Sequence, residues 1–174
     1  MRFNPKNSDR NHRDFFPTPP DATVALLGEV CFNGLIWECA CGEYHMSNVL
    51  EAHGYSVKST DILYGQDFLK SNDKVNNIVT NPPFSLATEF AFHAKKLASQ
   101  KICLLLRLAF LESQKRYEFF KDNSFPLSRV LVFSKRIRIA NGEINNKGGM
   151  VPYAWFVWDK AHIGAAKLGW LNFK

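Results

Sequence analysis

The chain has 174 residues, 46% hydrophobic and 22% charged, which suits one globular domain with a core of its own. Its formal net charge of +6 and pI near 9.2 fit a polyanionic partner, although many basic proteins bind no nucleic acid. The four cysteines (Cys31, Cys39, Cys41 and Cys103) lack disulfide spacing and no signal peptide or long apolar span occurs, so the expected compartment is a reducing cytoplasm.

Residues 1–13, with Arg2, Lys6, Arg10 and Arg13 among asparagines, read as a flexible basic arm. Residues 14–174 read as a single domain without repeats or a low-complexity tract. In "DFFPTPPDATVALLGEV" Thr18 is expected to cap a helix, Pro19 to take its first position and Asp21 to favour its positive end. "GLIWECA" (34–40) predicts a short strand, and Met46, Val49 and Leu50 predict a helical face that stops at Gly54. Further strands are predicted at "SVKSTDI" (56–62) and "NNIVT" (76–80). A helix follows at "SLATEFAFHAKKLA", with Leu86, Phe90, Ala94 and Leu97 on one side. The apolar "KICLLLRL" (101–108) has the pattern of a strand buried on both faces, and "AFLESQKRYEFFKD" of a helix after it. "SRVLVFSKRIRI" and "YAWFVWDK" then follow as strands with no helix between them, joined through Asn141-Gly142 and Gly148-Gly149. The fold class expected is α/β, a mostly parallel sheet with an antiparallel C-terminal strand pair.

In such a sheet ligands bind outside the carboxyl ends of the strands. Three segments fall there. "ECACGEYHM" runs from Glu38 into Gly42, where a glycine lets backbone approach a ligand. Asp61 ends the next strand, where an acid can accept hydrogen bonds from ribose hydroxyls. Asn81-Pro82-Pro83-Phe84 closes the third strand, and two prolines with an aromatic ring exceed what a turn requires.

These segments, in this order, resemble those of the AdoMet-dependent N6-adenine DNA methyltransferases. "DFFPTPP" is similar to the family's N-terminal cofactor motif, "ECACG" to its strand-and-loop motif, and "DFL" (67–69) to its adenine-contacting Asp-Phe pair. "TNPPF" is similar to its catalytic tetrapeptide, and the resemblance spans about residues 14 to 110. It implies a Rossmann-like class I methyltransferase fold, S-adenosylmethionine as cofactor, no metal, and nucleic acid, DNA first, as partner. It implies catalytic roles for Asn81, Pro82, Pro83 and Phe84, and cofactor contacts by Phe16, Pro17, Thr18, Pro19, Glu38, Cys39, Ala40, Cys41, Gly42, Asp61, Ile62, Asp67 and Phe68. Two positions depart from the pattern: Cys39 replaces a proline, and Tyr44 stands where a second loop glycine is expected and would crowd the methionine end of the cofactor. The short segment between Asp61 and Asn77 implies that one helix–strand unit of the usual sheet is trimmed.

The chemistry agrees with the resemblance. Adenine N6 is a poor nucleophile because its lone pair is delocalised into the ring. The Asn81 side-chain oxygen and the Pro82 carbonyl would hold its two N–H bonds while it attacks the methyl, and Phe84 would stack on a base taken out of the helix. Arg107 is read as a phosphate contact or, equally, a surface arginine. Lys135, Arg136, Arg138 and Lys147 read as a basic hairpin along a phosphate backbone, or a solvated one. No separate target-recognition domain fits the remaining length, which points to short or weak sequence selectivity, a single-stranded substrate or a recognition partner. RNA adenine and protein glutamine N5 methyltransferases carry the same tetrapeptide and stay open, as does a nucleic-acid binder that has lost catalysis. A zinc site at Cys39, Cys41, His45 and His53 is disfavoured because no second cysteine pair exists. A dehydrogenase is disfavoured because the first turn lacks three glycines.

Overall fold

The computed structural model describes residues 17–137, 139 and 151–172. The arm at 1–13, Phe16, Arg138, Lys147 and the connection through 141–149 lie outside the described residues. Seven strands form one sheet: β1 (Ile36–Glu38), β2 (Val57–Ser59), β3 (Val75–Thr80), β4 (Ala98–Arg107), β5 (Leu127–Phe133), β6 (Tyr153–Asp159) and β7 (Lys167–Leu171). Their order is β2-β1-β3-β4-β6-β5-β7. β1 pairs in parallel with β2 and β3, β3 with β4, and β5 with β7, while β6 runs antiparallel to both β4 and β5.

Helices cover both faces, and the strands show why. Along β4, Ile102, Leu104 and Leu106 enter one core cluster while Cys103 and Leu105 enter the other. β6 alternates likewise: Ala154, Phe156 and Trp158 against Tyr153, Trp155 and Val157. A continuous apolar run is thus a strand read on both sides, as the sequence predicts. Helix α1 (Pro20–Leu27) and helix α2 (His45–Ala52) cover one face through Ala22, Leu26, Met46 and Leu50. Helix α3 (Ala87–Leu97) and the short α4 (Tyr117–Lys121) cover the other through Phe90, Ala94, Leu97 and Phe119. Trp155, fully buried on β6, donates from Nε1 to the Ala22 carbonyl at 2.8 Å and ties α1 to the sheet centre.

Four expectations change. Thr18 does not cap α1: Pro19 is the N-cap residue, no side chain caps there, and the Thr18 hydroxyl serves elsewhere. The helix predicted over 109–122 breaks into a 3₁₀ turn at Leu108–Leu111, another at Gln114–Arg116, and α4. The Arg116 guanidinium is the reason, because it takes the carbonyls of Phe110 (2.8 Å) and Glu112 (2.6 Å) that a helix would give to its own N–H groups. β7 is an additional strand at the far edge. Gly169 lets it lie close to β5, since a Cβ there would stand 2.9 Å from Leu131 Cδ2. The antiparallel pairs consequently lie inside the sheet, and a parallel strand forms the border. At the opposite border only 3₁₀ turns, Ile62–Tyr64 and Phe68–Lys70, separate β2 from β3, as the trimmed unit requires.

Candidate functional site

The chain leaves β1 for β2 on one side and returns to β3 on the other, so the carboxyl ends of β1 and β3 flank the crevice where the strand order reverses. The Cys39–Gly42 loop follows β1, Asp61 follows β2, and Asn81 follows β3. Three segments separated in sequence therefore meet at one end of the sheet.

Asp61 organises the first half of this end. It is 7% exposed, accepts from Gly42 N–H at 2.8 Å through one oxygen, and accepts from Leu63 N–H at 2.9 Å through the other. Tyr64 Oη donates to the Gly42 carbonyl at 2.8 Å, so both backbone groups of Gly42 are engaged. Gly42 has φ +49° and Tyr44 has φ +64°, the only positive φ at a non-glycine among the described residues. The position where a glycine is expected is thus one whose backbone wants a glycine. Tyr44 is held there in part by its ring, which stacks on Tyr64 with centroids 5.7 Å apart and planes 18° apart. Tyr44→Ala is expected to be less stable than Tyr44→Gly by about 1 kcal/mol, because both lose the stack but only alanine keeps a Cβ in the left-handed region. Urea unfolding of the two variants checks this, and an alanine variant at least as stable would show the loop is unstrained.

Glu38 lies beneath the loop, 2% exposed, with Ser47 Oγ of α2 donating to its carboxyl and Ser47 in turn 2.6 Å from Ser59 Oγ of β2. It joins three elements below the loop. Burial pushes its carboxyl up to about 8, the hydrogen bonds from Ser47 working the other way and the nearby Asp61 charge adding to the rise. Between an unfolded value of 4.5 and about 8 the folded chain therefore keeps a proton that the unfolded chain releases. This contribution to stability is full below the lower value and falls, by at most about 1.4 kcal/mol per pH unit, as the pH climbs to the upper one. Glu38→Gln is expected to gain stability relative to the native protein between these limits. Parallel urea curves across the range would contradict it. Cys39 and Cys41 are also buried, and burial with the neighbouring Glu38 and Asp61 charges pushes the Cys41 thiol up to about 12, so it supplies no thiolate at neutral pH. Among the described residues no three His, Cys, Asp or Glu side chains gather as a metal site would need.

The second half of the site is built on β3 and β4. Asn81 donates from Nδ2 to Thr18 Oγ1 at 3.0 Å, a bond across 63 positions that sets which way its amide faces. Pro82 and Pro83 lead into a 3₁₀ turn at Phe84–Leu86, which Leu86 N–H closes on the Pro83 carbonyl at 2.9 Å. Phe84 lies 5.4 Å from the buried Tyr153, and the Arg107 guanidinium lies 4.7 Å over its ring. Lys135 and Arg136 are exposed just beyond β5, at this same end of the sheet and about 10 Å, two strand spacings, from β4.

A small cleft of about 210 Å³ opens at the β2 border, lined by Trp37, Lys58, Thr60, Asp67, Phe68 and neighbours. Asp67 accepts from Leu69 N–H at 3.1 Å and pairs with Lys70 at 2.9 Å. Phe68 is 3% exposed and packs against Trp37, Phe90 and His93, so it meets the cleft as part of the core rather than as an open platform. Ile62, half exposed, rims the site beside Asp61. Pro17, Thr18 and Pro19 lead into α1, and Ala40 packs against the core beside Cys39.

No protein-family model matches this sequence, and no curated protein matches it. Solved structures do. A candidate RNA methyltransferase from Pyrococcus horikoshii is 14% identical with a TM-score of 0.60, over 86% of this chain and 88% of that one. A candidate class I S-adenosylmethionine-dependent methyltransferase from Listeria monocytogenes is 16% identical with a TM-score of 0.62, over 88% of this chain and 65% of that one. The fold is that of the class I methyltransferases. The type I restriction enzyme EcoKI M protein shares it at 13% identity and a TM-score of 0.53, over 85% of this chain and 44% of that one. The chain therefore spans less than two thirds of the Listeria protein and less than half of the EcoKI M protein. Within the methyltransferase fold, Asp61 and Asn81 occupy the ends of the second strand and of its neighbour across β1.

Proposed function

We propose that the protein transfers a methyl group from S-adenosylmethionine to the exocyclic N6 of adenine in nucleic acid, DNA first. One observation carries the reading: Asn81-Pro82-Pro83-Phe84 leaves β3 at the crevice, with the Asn81 amide set by Thr18, across β1 from the Gly42–Asp61 contact. The methyltransferase neighbours, an RNA candidate and a restriction-modification protein among them, support the chemistry and a nucleic-acid partner.

The residues present fit the cofactor. Asp61 offers a carboxylate at the end of β2, where ribose hydroxyls would replace the N–H groups it now holds. The cleft is smaller than the roughly 300–1,000 Å³ of whole ligand pockets and suits one ring, with Asp67 accepting from an adenine amine and Phe68 as floor. Glu38, already occupied by Ser47, holds the loop in place and makes no ligand contact in this scheme. S-adenosylmethionine, when bound, would supply an electrophilic methyl carbon on a sulfonium whose sulfur would keep the electron pair of the carbon–sulfur bond. Asn81 Oδ1 and the Pro82 carbonyl accept the two N–H bonds of N6 and aim its lone pair at that carbon. Two prolines keep the carbonyl fixed. The proton leaves N6 for water after the new bond forms, so no strong base is required.

A second reading, a nucleic-acid binder without catalysis, is favoured by the engagement of both Gly42 backbone groups and by the Tyr44 side chain on the cofactor loop. Calorimetry with S-adenosylmethionine and S-adenosylhomocysteine separates the two. Micromolar binding supports the enzyme; no binding at millimolar cofactor leaves the binder.

A further inference from the structure

We infer that Arg107 is a base clamp: its guanidinium covers Phe84 in the free protein and stacks on the outer face of the target base once that base displaces it. The inference rests on the reading of Phe84 as the surface that receives the base.

The geometry begins in the sheet. Arg107 ends β4 directly opposite Tyr153 at the start of β6. Opposed residues of an antiparallel pair project to the same face, so the ladder sets a cation and a phenol side by side. Phe84 lies against both. Tyr153, 7% exposed, backs the ring at 5.4 Å from within, and Arg107, exposed, covers it at 4.7 Å from solvent.

What Arg107 does not do is as informative. Among the described residues its guanidinium makes no hydrogen bond and no ion pair, and the Phe84 ring is its one contact of this kind. Arg116 also lies over a ring, Phe110 at 4.3 Å, yet spends its donors on the carbonyls of Phe110 and Glu112. Arg129 pairs with Glu29 at 3.7 Å. Arg107 alone of these three keeps its N–H groups for solvent or a ligand, at the mouth of the crevice.

Magnitudes make the cover displaceable. An exposed cation–π contact is weaker than the stacking of a base on an aromatic ring. The base wins the ring. A guanidinium is planar and stacks on a purine as readily as on benzene, so it closes over the base from the other side with its donors turned to the strand. An ammonium, a point charge, does not do this.

The test is a fluorescence titration, without cofactor, of a single-stranded oligonucleotide carrying one ethenoadenine, whose emission is quenched on stacking. The proteins are the native chain, Arg107→Lys, Arg107→Ala, Phe84→Ala and the double alanine variant, each checked for a native melting curve. A clamp predicts that Arg107→Ala weakens binding by about tenfold, equivalent to about 1.4 kcal/mol. It predicts that lysine does not restore binding or quenching, and that the double variant binds no worse than Phe84→Ala. Restoration by lysine, with additive losses in the double variant, would make Arg107 a phosphate contact and overturn the clamp. So would a native protein that neither binds nor quenches the probe. Arg107-dependent quenching without methyl transfer would sink the proposed function and keep the clamp; transfer with unaltered quenching in Arg107→Ala would do the reverse.

Discussion

Asn81→Ala is expected to slow methyl transfer by about 10²–10³-fold, the range for removal of one preorganised polar group at a reacting centre, while leaving affinity for S-adenosylmethionine essentially unchanged. The loss would fall on the chemical step, because in the proposed scheme the amide oxygen meets N6 and not the cofactor. The variant also gives up the Asn81–Thr18 hydrogen bond, which at about 1 kcal/mol leaves the fold intact. Thr18→Val tests the orientation argument within the same assay: the amide loses the hydroxyl acceptor that helps aim it, and the rate should fall less than for Asn81→Ala. Single-turnover rates beside calorimetric affinities decide. If Asn81→Ala weakens cofactor binding as much as it slows transfer, Asn81 belongs to the cofactor site and the division of roles is wrong.

Asp61→Ala should produce the opposite pattern. Hydrogen bonds to a charged group contribute about 1.5–3 kcal/mol each, so losing two to ribose hydroxyls weakens S-adenosylmethionine binding by about 10²–10⁴-fold. The same carboxylate holds Gly42 and Leu63 N–H groups in the free protein. Each donor left unsatisfied costs about 1–3 kcal/mol, so the variant also melts earlier. Asp61→Asn keeps one oxygen acceptor and should fall between the two in both measurements. An Asp61→Ala protein that binds the cofactor like the native chain would show that the acid serves the loop alone.

Asp61 and Asn81 are legible in the sequence for one physical reason. Each stands at the end of a short predicted strand, and in an α/β sheet the strand ends are where ligands sit. β4 and β6 are legible as well, since runs such as "CLLL" and "WFVW" satisfy both faces of a covered sheet. What escaped reading is tertiary. Thr18 looks like a helix cap because local pattern cannot reveal an asparagine 63 positions away. The segment after β4 has helical periodicity, but the Arg116 side chain takes its carbonyls. β7 carries exposed Leu168 and Trp170 around a glycine, a pattern that resembles no half-buried strand. The depth of Phe68 is tertiary too, since Trp37 and Phe90 draw it inward and its place after Asp67 does not reveal this. Tyr44 is the converse case, since a departure visible in the sequence coincides with the positive φ at that position.

Identification of the labelled product tests methyl transfer to adenine N6. The purified chain would be incubated with methyl-tritiated S-adenosylmethionine and, separately, DNA, RNA and protein, and the nucleic acids digested to nucleosides for chromatography. Label is expected in N6-methyldeoxyadenosine from DNA, appearing about 10²–10³-fold more slowly with Asn81→Ala. Label confined to protein glutamine or to a nucleoside other than N6-methylated adenine, or no label in any substrate despite bound cofactor, would contradict it.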